Sequence, residues 1–173
     1  IEAMSTIAIA VDHRGSITEV RADTAADFHA MVEDARQGGR LSEPAAGHVL
    51  MPGLVDLHIH APQWPQLGKA LDEPLEVWLQ KYTFPLEARY ADLDFAEAVY
   101  RDLVRTLLAH GTTTAVYFAT THVEASVALA RICLDEGQRA FVGKVAMDDP
   151  DQCPAYYRDE NAQTALEDTR RFI

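Results

Sequence analysis

The amino-acid sequence predicts an α/β fold built on a parallel sheet, and three observations carry that reading. From Leu54 onward, apolar or β-branched runs of strand length at 54–59, 112–121 and 140–147 alternate with helical stretches at 94–110, 123–136 and 162–173. Strands joined through a helix run parallel and cross over right-handedly. This order fits a (β/α)8 barrel or an open doubly wound sheet, and no Gly-rich phosphate loop follows the first run, which weakens the nucleotide-binding open sheet. Length is the third observation. A closed barrel takes eight units and about 250 residues, whereas about 120 residues follow the start of the first strand here. At most three or four units fit, so the chain is either a complete smaller open sheet or the opening portion of a longer enzyme.

Taken in order, Thr6 to Val11 and Ile17 to Val20 alternate as strands around turn residues Asp12 to Gly15, which reads as a hairpin. Ala22 to Gln37 reads as a short helix ended by Gly38 and Gly39, and Val49-Leu50 as a brief strand. Residues 1–50 thus form part of a small β domain, and 51–173 hold the first three or so β/α units. The first residue is Ile1 rather than Met, as expected of a trimmed, tag-derived or incomplete start. Ala61 to Gln66 is a Pro-rich loop, and Pro74 starts a short helix that the segment 81–87 breaks. Asp94 and Glu97 form an acidic box opening a longer helix, with Phe95, Val99, Leu103 and Leu107 on its apolar stripe. Gly111 and Gly137 stop the two middle helices, and 148–159 is loop.

The stretch from Leu54 to His60, set off by Met51-Pro52-Gly53, reads as a buried strand with polar exceptions. Alternation puts Asp56, His58 and His60 on one face and Val55, Leu57 and Ile59 on the other. Two imidazoles side by side on a rigid strand can donate two nitrogens to one divalent ion. The competing reading is two core histidines, each needing its own buried hydrogen-bond partner, where a metal would satisfy both at once. Asp56 either orients an imidazole from behind or bonds to backbone.

Composition narrows the function classes. The 173 residues are 48% hydrophobic and carry a net charge of −12, which describes a globular chain that opposes nucleic-acid backbones and anionic membranes. A small, uncharged substrate is easier to accommodate. Two cysteines, Cys133 and Cys153, make no disulfide framework, and no apolar run approaches bilayer length, so a cytoplasmic location is expected. Cys133 reads as a buried helix residue and Cys153 as a loop thiol. Trp64, Trp78, Tyr82 and Phe84 read as core before they read as pocket walls. His110 is placed to serve helix-end carbonyls, His122 lies just past a strand without an assigned role, and His13, His29 and His48 read as exposed. Lys144, within the third strand, reads as structural or as a group behind the metal ligands.

Pro52-Gly53-Leu54-Val55-Asp56-Leu57-His58-Ile59-His60 resembles the metal-binding first strand of the amidohydrolase superfamily, preceded by a hairpin of its small β domain around Val11 to Ile17. More narrowly, His58-Ile59-His60-Ala61-Pro62-Gln63, the segment from Trp78 to Glu87, Gly111 to Ala115, Tyr117 to Thr120 and Gly137 to Lys144 resemble the guanine deaminases. The His-x-His element is superfamily-wide, whereas Tyr82-Thr83-Phe84-Pro85 is narrower. The resemblance implies the first part of a (β/α)8 barrel with part of a flanking β domain. It implies Zn2+ held by His58 and His60, a substrate met by His60, Ala61, Pro62 and Gln63, and hydrolysis of guanine to xanthine and ammonia by zinc-activated water. It also implies a homodimeric full enzyme. The family's remaining ligands, substrate-gripping residues and proton-shuttling carboxylate lie beyond residue 173, so the 173-residue piece alone is expected to be inactive and to aggregate or pair through its open sheet. Another amidohydrolase acting on a cyclic amidine or amide, triazines included, and a non-catalytic barrel scaffold are the alternatives; the presence of both histidines counts against the scaffold.

Overall fold

The computed structural model describes residues 6–173. The chain divides into two compact units, Ile1–Met51 and Pro52–Ile173, the first five residues of the former lying outside the described part. In the first unit β1 (Ile7–Val11) and β2 (Ile17–Ala22) pair antiparallel, with the register slipping between Ala10 and Val11. Their turn is held by Asp12, whose Oδ1 accepts from the backbone N–H groups of Arg14 and Ser16 at 2.8 and 2.9 Å, an Asx-type lock. The helix expected from Ala22 begins later, as α1 (Phe28–Gln37), because β2 runs through Ala22. Val49 and Leu50 form no strand: they lie 68% and 64% exposed, and neither pairs with a neighbouring strand.

The second unit carries a three-stranded parallel sheet in the order β3 (Leu54–His60), β4 (Thr112–Phe118), β5 (Arg139–Gly143). Helix α4 (Leu93–Ala109) connects β3 to β4, and α5 (Val123–Glu136) connects β4 to β5. Both pack on one face of the sheet. Tyr100, Leu103 and Val104 of α4 close with Ala115 and Tyr117 of β4 and with Ala125, Leu129, Ile132 and Cys133 of α5. The Tyr117 hydroxyl, pushed into this core, donates to Gln138 Oε1 at 2.6 Å, and Gln138 Nε2 donates to the Thr112 carbonyl at 2.9 Å, so the buried polar ends are satisfied. The strands end sooner than their apolar runs, at Phe118 and Gly143, which puts Lys144 past β5 rather than within it.

Three expectations are corrected between β3 and α4. Ala61–Gln66 is a 3₁₀ helix, not a loop. Residues 81–87 do not break the helix begun at Leu75; α2 (Leu75–Trp78) passes through a π-helical turn (Leu79–Thr83) into α3 (Phe84–Ala88). The wide turn lets the chain continue into Pro85, whose ring and missing N–H oppose ordinary α-helical bonding to the preceding turn. Finally, α4 is capped by Asp92, whose Oδ1 accepts from the N–H groups of Asp94 and Phe95 at 3.1 and 3.3 Å, in place of an Asp94–Glu97 box. The other end of the sheet's second crossover follows its sequence signal: α5 stops at Gly137 in the left-handed region, φ +78. The chain closes with α6 (Ala162–Phe172).

The strand β3 is not buried. It pairs with β4 alone, and Val55 and Leu57 are 59% and 71% exposed, because among the described residues nothing covers its far side. Ile59 alone of the three packs against the core. The strand starts where Gly53 lies against Thr113, whose side chain a Cβ at residue 53 would overlap. Among the described residues no helix is long and apolar enough to cross a membrane.

The cap makes a direct test. Asp92→Ala is expected to lower unfolding free energy by about 1 kcal/mol in denaturant melts, with Asp92→Asn close to the parent, since an Asn side chain accepts the same N–H bonds.

Candidate functional site

The two histidines of β3 converge. His58 Nε2 and His60 Nε2 lie 3.0 Å apart, near the roughly 3.3 Å that separates two nitrogens on one tetrahedral zinc ion. Their β3–β4 pairing slips between Asp56 and Ile59, so strict alternation does not run the length of the strand. Asp56 does not reach an imidazole; its Oδ1 accepts from the backbone N–H of His58 at 3.0 Å and stabilises that slip. Of the two readings for Asp56, the backbone-bonded carboxylate is the one observed.

The pair rests on an aromatic floor that the sequence reading missed. Phe118, the register partner of His60 on the central strand, stacks on the His60 ring at 4.9 Å and 11°, and approaches the His58 ring at 4.7 Å. In a parallel sheet, register partners on neighbouring strands project to the same side, which is why this contact forms. Partial desolvation of the His60 ring, and then the neighbouring His58, hold its imidazole below the usual histidine range. The neutral ring keeps the lone pair that metal ligation requires. Two nitrogens so placed fit a divalent ion as two of its ligands; among the described residues no third His, Cys, Asp or Glu joins them.

Beyond His60 the chain turns at once into the 3₁₀ helix and is fastened to the α2–α3 region by side chains. Gln66 Nε2 donates to Thr83 Oγ1 at 2.9 Å, and the Tyr90 hydroxyl donates to the Pro62 carbonyl at 2.9 Å, both bonds buried. Ala61 and Pro62 are fully buried. Gln63 Nε2 donates to Glu87 Oε1 at 3.1 Å, and the other carboxylate oxygen, Oε2, accepts from the Tyr157 hydroxyl at 2.8 Å. Burial pushes the Glu87 carboxyl above its ordinary range, against the Gln63 and Tyr157 hydrogen bonds that favour the ionised form. Glu87 and Tyr157 stand 70 residues apart, so no local pattern pairs them.

The remaining candidates have structural places. Trp64 Nε1 donates to Asp102 at 2.7 Å, Trp78 Nε1 to the Lys69 carbonyl at 3.4 Å, and Phe84 is buried beside Tyr157. His110 Nδ1 meets the Thr106 carbonyl at 2.8 Å at the end of α4. Lys144, with a fully buried side chain, meets Asp159 Oδ1 at 3.4 Å and the Val145 carbonyl at 2.9 Å, and Asp159 Oδ2 accepts from the Met147 N–H at 2.7 Å. His122 stands at the start of α5 without a side-chain capping bond, its buried Nε2 unpartnered, and burial holds its imidazole low. Cys133 is buried and Cys153 half-buried, both free.

A family model described as the Amidohydrolase family matches residues 49–173. The chain belongs to the amidohydrolase family. The three β/α units of this amidohydrolase are therefore part of a (β/α)8 barrel, and membership implies a divalent metal cofactor. Guanine deaminase of Homo sapiens is 53% identical over 123 residues, which are 71% of this chain and 27% of that protein. Guanine deaminase of Escherichia coli is 39% identical over 127 residues, 73% and 28% of the two chains. Among solved structures, the guanine deaminase from C. acetobutylicum with bound guanine in its active site superposes with a TM-score of 0.81 at 34% identity, covering 95% of this chain and 36% of that one. The chain thus spans about a quarter of the length of the curated relatives it matches.

Glu87 gives this amidohydrolase a pH signature. A carboxyl whose folded-state pKa is raised stabilises the fold fully only below the unfolded value of about 4.3, and that contribution falls as pH rises through the folded value. Glu87→Gln cannot ionise. The stability difference between the variant and the parent, measured by denaturant melts from pH 4 to 8, is expected to move in favour of the variant as pH rises.

Proposed function

We propose that this chain is the N-terminal portion of a zinc-dependent guanine deaminase, which hydrolyses guanine to xanthine and ammonia. The observation that carries the reading is the convergence of His58 Nε2 and His60 Nε2 at 3.0 Å, directly followed in the chain by the pinned segment Ala61–Gln66. The identities of 53% and 39% to guanine deaminases over this same region support the choice of substrate. In this reading His58 and His60 hold the zinc, and their rings are kept in register by Phe118. When bound, the ion supplies a water acidified enough to ionise near neutral pH, the nucleophile that hydrolytic loss of an amino group requires.

The residues of this chain then bind and orient. His60 and Gln63 meet the substrate, with Ala61 and Pro62 buried behind them, and the Gln63 amide offers a donor and an acceptor side by side to a purine edge. Burial of Ala61 and Pro62 excludes water from behind that edge. The general acid and base are supplied from outside these 173 residues, as are the further metal ligands, since a catalytic zinc site uses three protein ligands or more. The working enzyme is a cytoplasmic homodimer; the two free cysteines agree with a reducing compartment.

Zinc content and ammonia release from guanine, measured on the complete enzyme and on residues 1–173 alone, test the proposal. The complete enzyme is expected to hold about one zinc per chain and to release ammonia from guanine, while the isolated piece releases none. His58→Ala and His60→Ala should each empty the metal site and lower kcat/KM by about 100-fold or more. Turnover of a triazine or another nucleobase in place of guanine would reassign the chain to a different amidohydrolase reaction.

A further inference from the structure

An amide can meet a substrate in two ways. Its oxygen accepts and its nitrogen donates, so a half-turn about the last side-chain bond exchanges what Gln63 presents. The backbone beneath it is already fixed, because the Tyr90 hydroxyl holds the Pro62 carbonyl and Gln66 is bonded to Thr83. The freedom left to Gln63 lies in its side chain, and Glu87 removes it. Gln63 Nε2 donates to Glu87 Oε1 at 3.1 Å, while the Tyr157 hydroxyl donates to Oε2 at 2.8 Å and holds the carboxylate in place. A carboxylate presents lone pairs, so it accepts from the amide nitrogen and repels the amide oxygen.

We propose that Glu87 is the positioning residue that sets the substrate specificity of this site: by taking one N–H of Gln63 it fixes the amide so that Oε1 and the second N–H are the groups a heterocycle meets. The ligand selected is a flat ring whose edge carries a donor beside an acceptor, and the inverted edge is refused because Gln63 cannot turn over to serve it. The inference rests on the reading of Gln63 as a substrate contact. Tyr157 belongs to the same relay at one remove, holding Glu87 as Glu87 holds Gln63.

A double-mutant cycle in the complete zinc-loaded enzyme, with guanine as substrate, tests it. Gln63→Ala is expected to raise KM about tenfold, the size of one or two lost hydrogen bonds. Glu87→Gln offers Gln63 an amide that can both donate and accept, so Gln63 turns freely; KM should rise about fivefold with kcat changed less than about twofold. Combined with Gln63→Ala, the Glu87→Gln change should add nothing, whereas a merely structural Glu87 would act independently and the two effects would multiply. Tyr157→Phe keeps the ring, removes the donor to Oε2, and should show a smaller KM rise, about twofold, that also vanishes in the Gln63→Ala background. It carries the cycle if Glu87→Gln does not fold. Multiplying effects, or an unchanged KM on loosening Glu87, overturn the positioning role alone. An unchanged KM for Gln63→Ala overturns the substrate contact on which it rests.

Discussion

A carboxylate buried where carboxylates are costly holds the business end of this chain together. Glu87 is 6% exposed, and stripping water from an ion of its size costs several kcal/mol unless hydrogen bonds replace it. Two donors do so, the Gln63 amide and the Tyr157 hydroxyl, each bond to a charged acceptor contributing about 1.5–3 kcal/mol. Such a balance is neutral at best for stability. What it secures is geometry: three segments remote in the chain, the 3₁₀ helix after β3, helix α3 and the loop before α6, meet at one group. Leaving out either donor segment takes a partner from the buried carboxylate, and leaving out α3 strands both donors. The arrangement is therefore intolerant of half-measures, which suits a group whose task is to hold another side chain still.

The imidazole pair of β3 depends on a different kind of constraint. Among the described residues, the strand of His58 and His60 has a partner on one side, and its Val55 and Leu57 are exposed. Among the described residues the rings are braced from the central strand. The pairing of His60 with Phe118 sets ring on ring, and β4 in turn is fixed by Tyr117, which is buried against α4 and α5 and bonded to Gln138. A chain of contacts runs from the helix layer through β4 to the imidazoles. The helix layer thus serves the imidazoles through β4.

What the sequence made legible divides along the range of the interaction. Gly137 ended α5, Asp12 closed the hairpin turn and the His-x-His spacing put two imidazoles together, because each depends on residues a few positions apart. Elements that answer to distant partners were misread. Leu54 to Ile59 has the composition of a buried strand, and burial failed for want of a neighbour, which composition does not report. The segment Lys81 to Glu87 contains a proline that signals a break, yet packing of Thr83 on Gln66 and of Glu87 on Gln63 keeps it helical through a π turn. Asp92 and Asp94 are equally good caps on paper; the extended backbone of Asp92, φ −81 and ψ 109, decides between them.

The same division explains why the two motifs of this chain differ in breadth. Two histidines on a strand end suit any reaction that needs a divalent ion, so that element is shared across a superfamily. The narrower resemblance of the segment around Tyr82 to Glu87 has a physical source: Thr83 and Glu87, with Tyr90 just beyond them, each bond the 3₁₀ helix that follows His60. Changing the shape of the substrate edge would require changing that helix, and changing the helix would leave these buried partners unmatched. In the guanine deaminase reading proposed above, substrate choice is set in a second layer, one helix removed from the ligand.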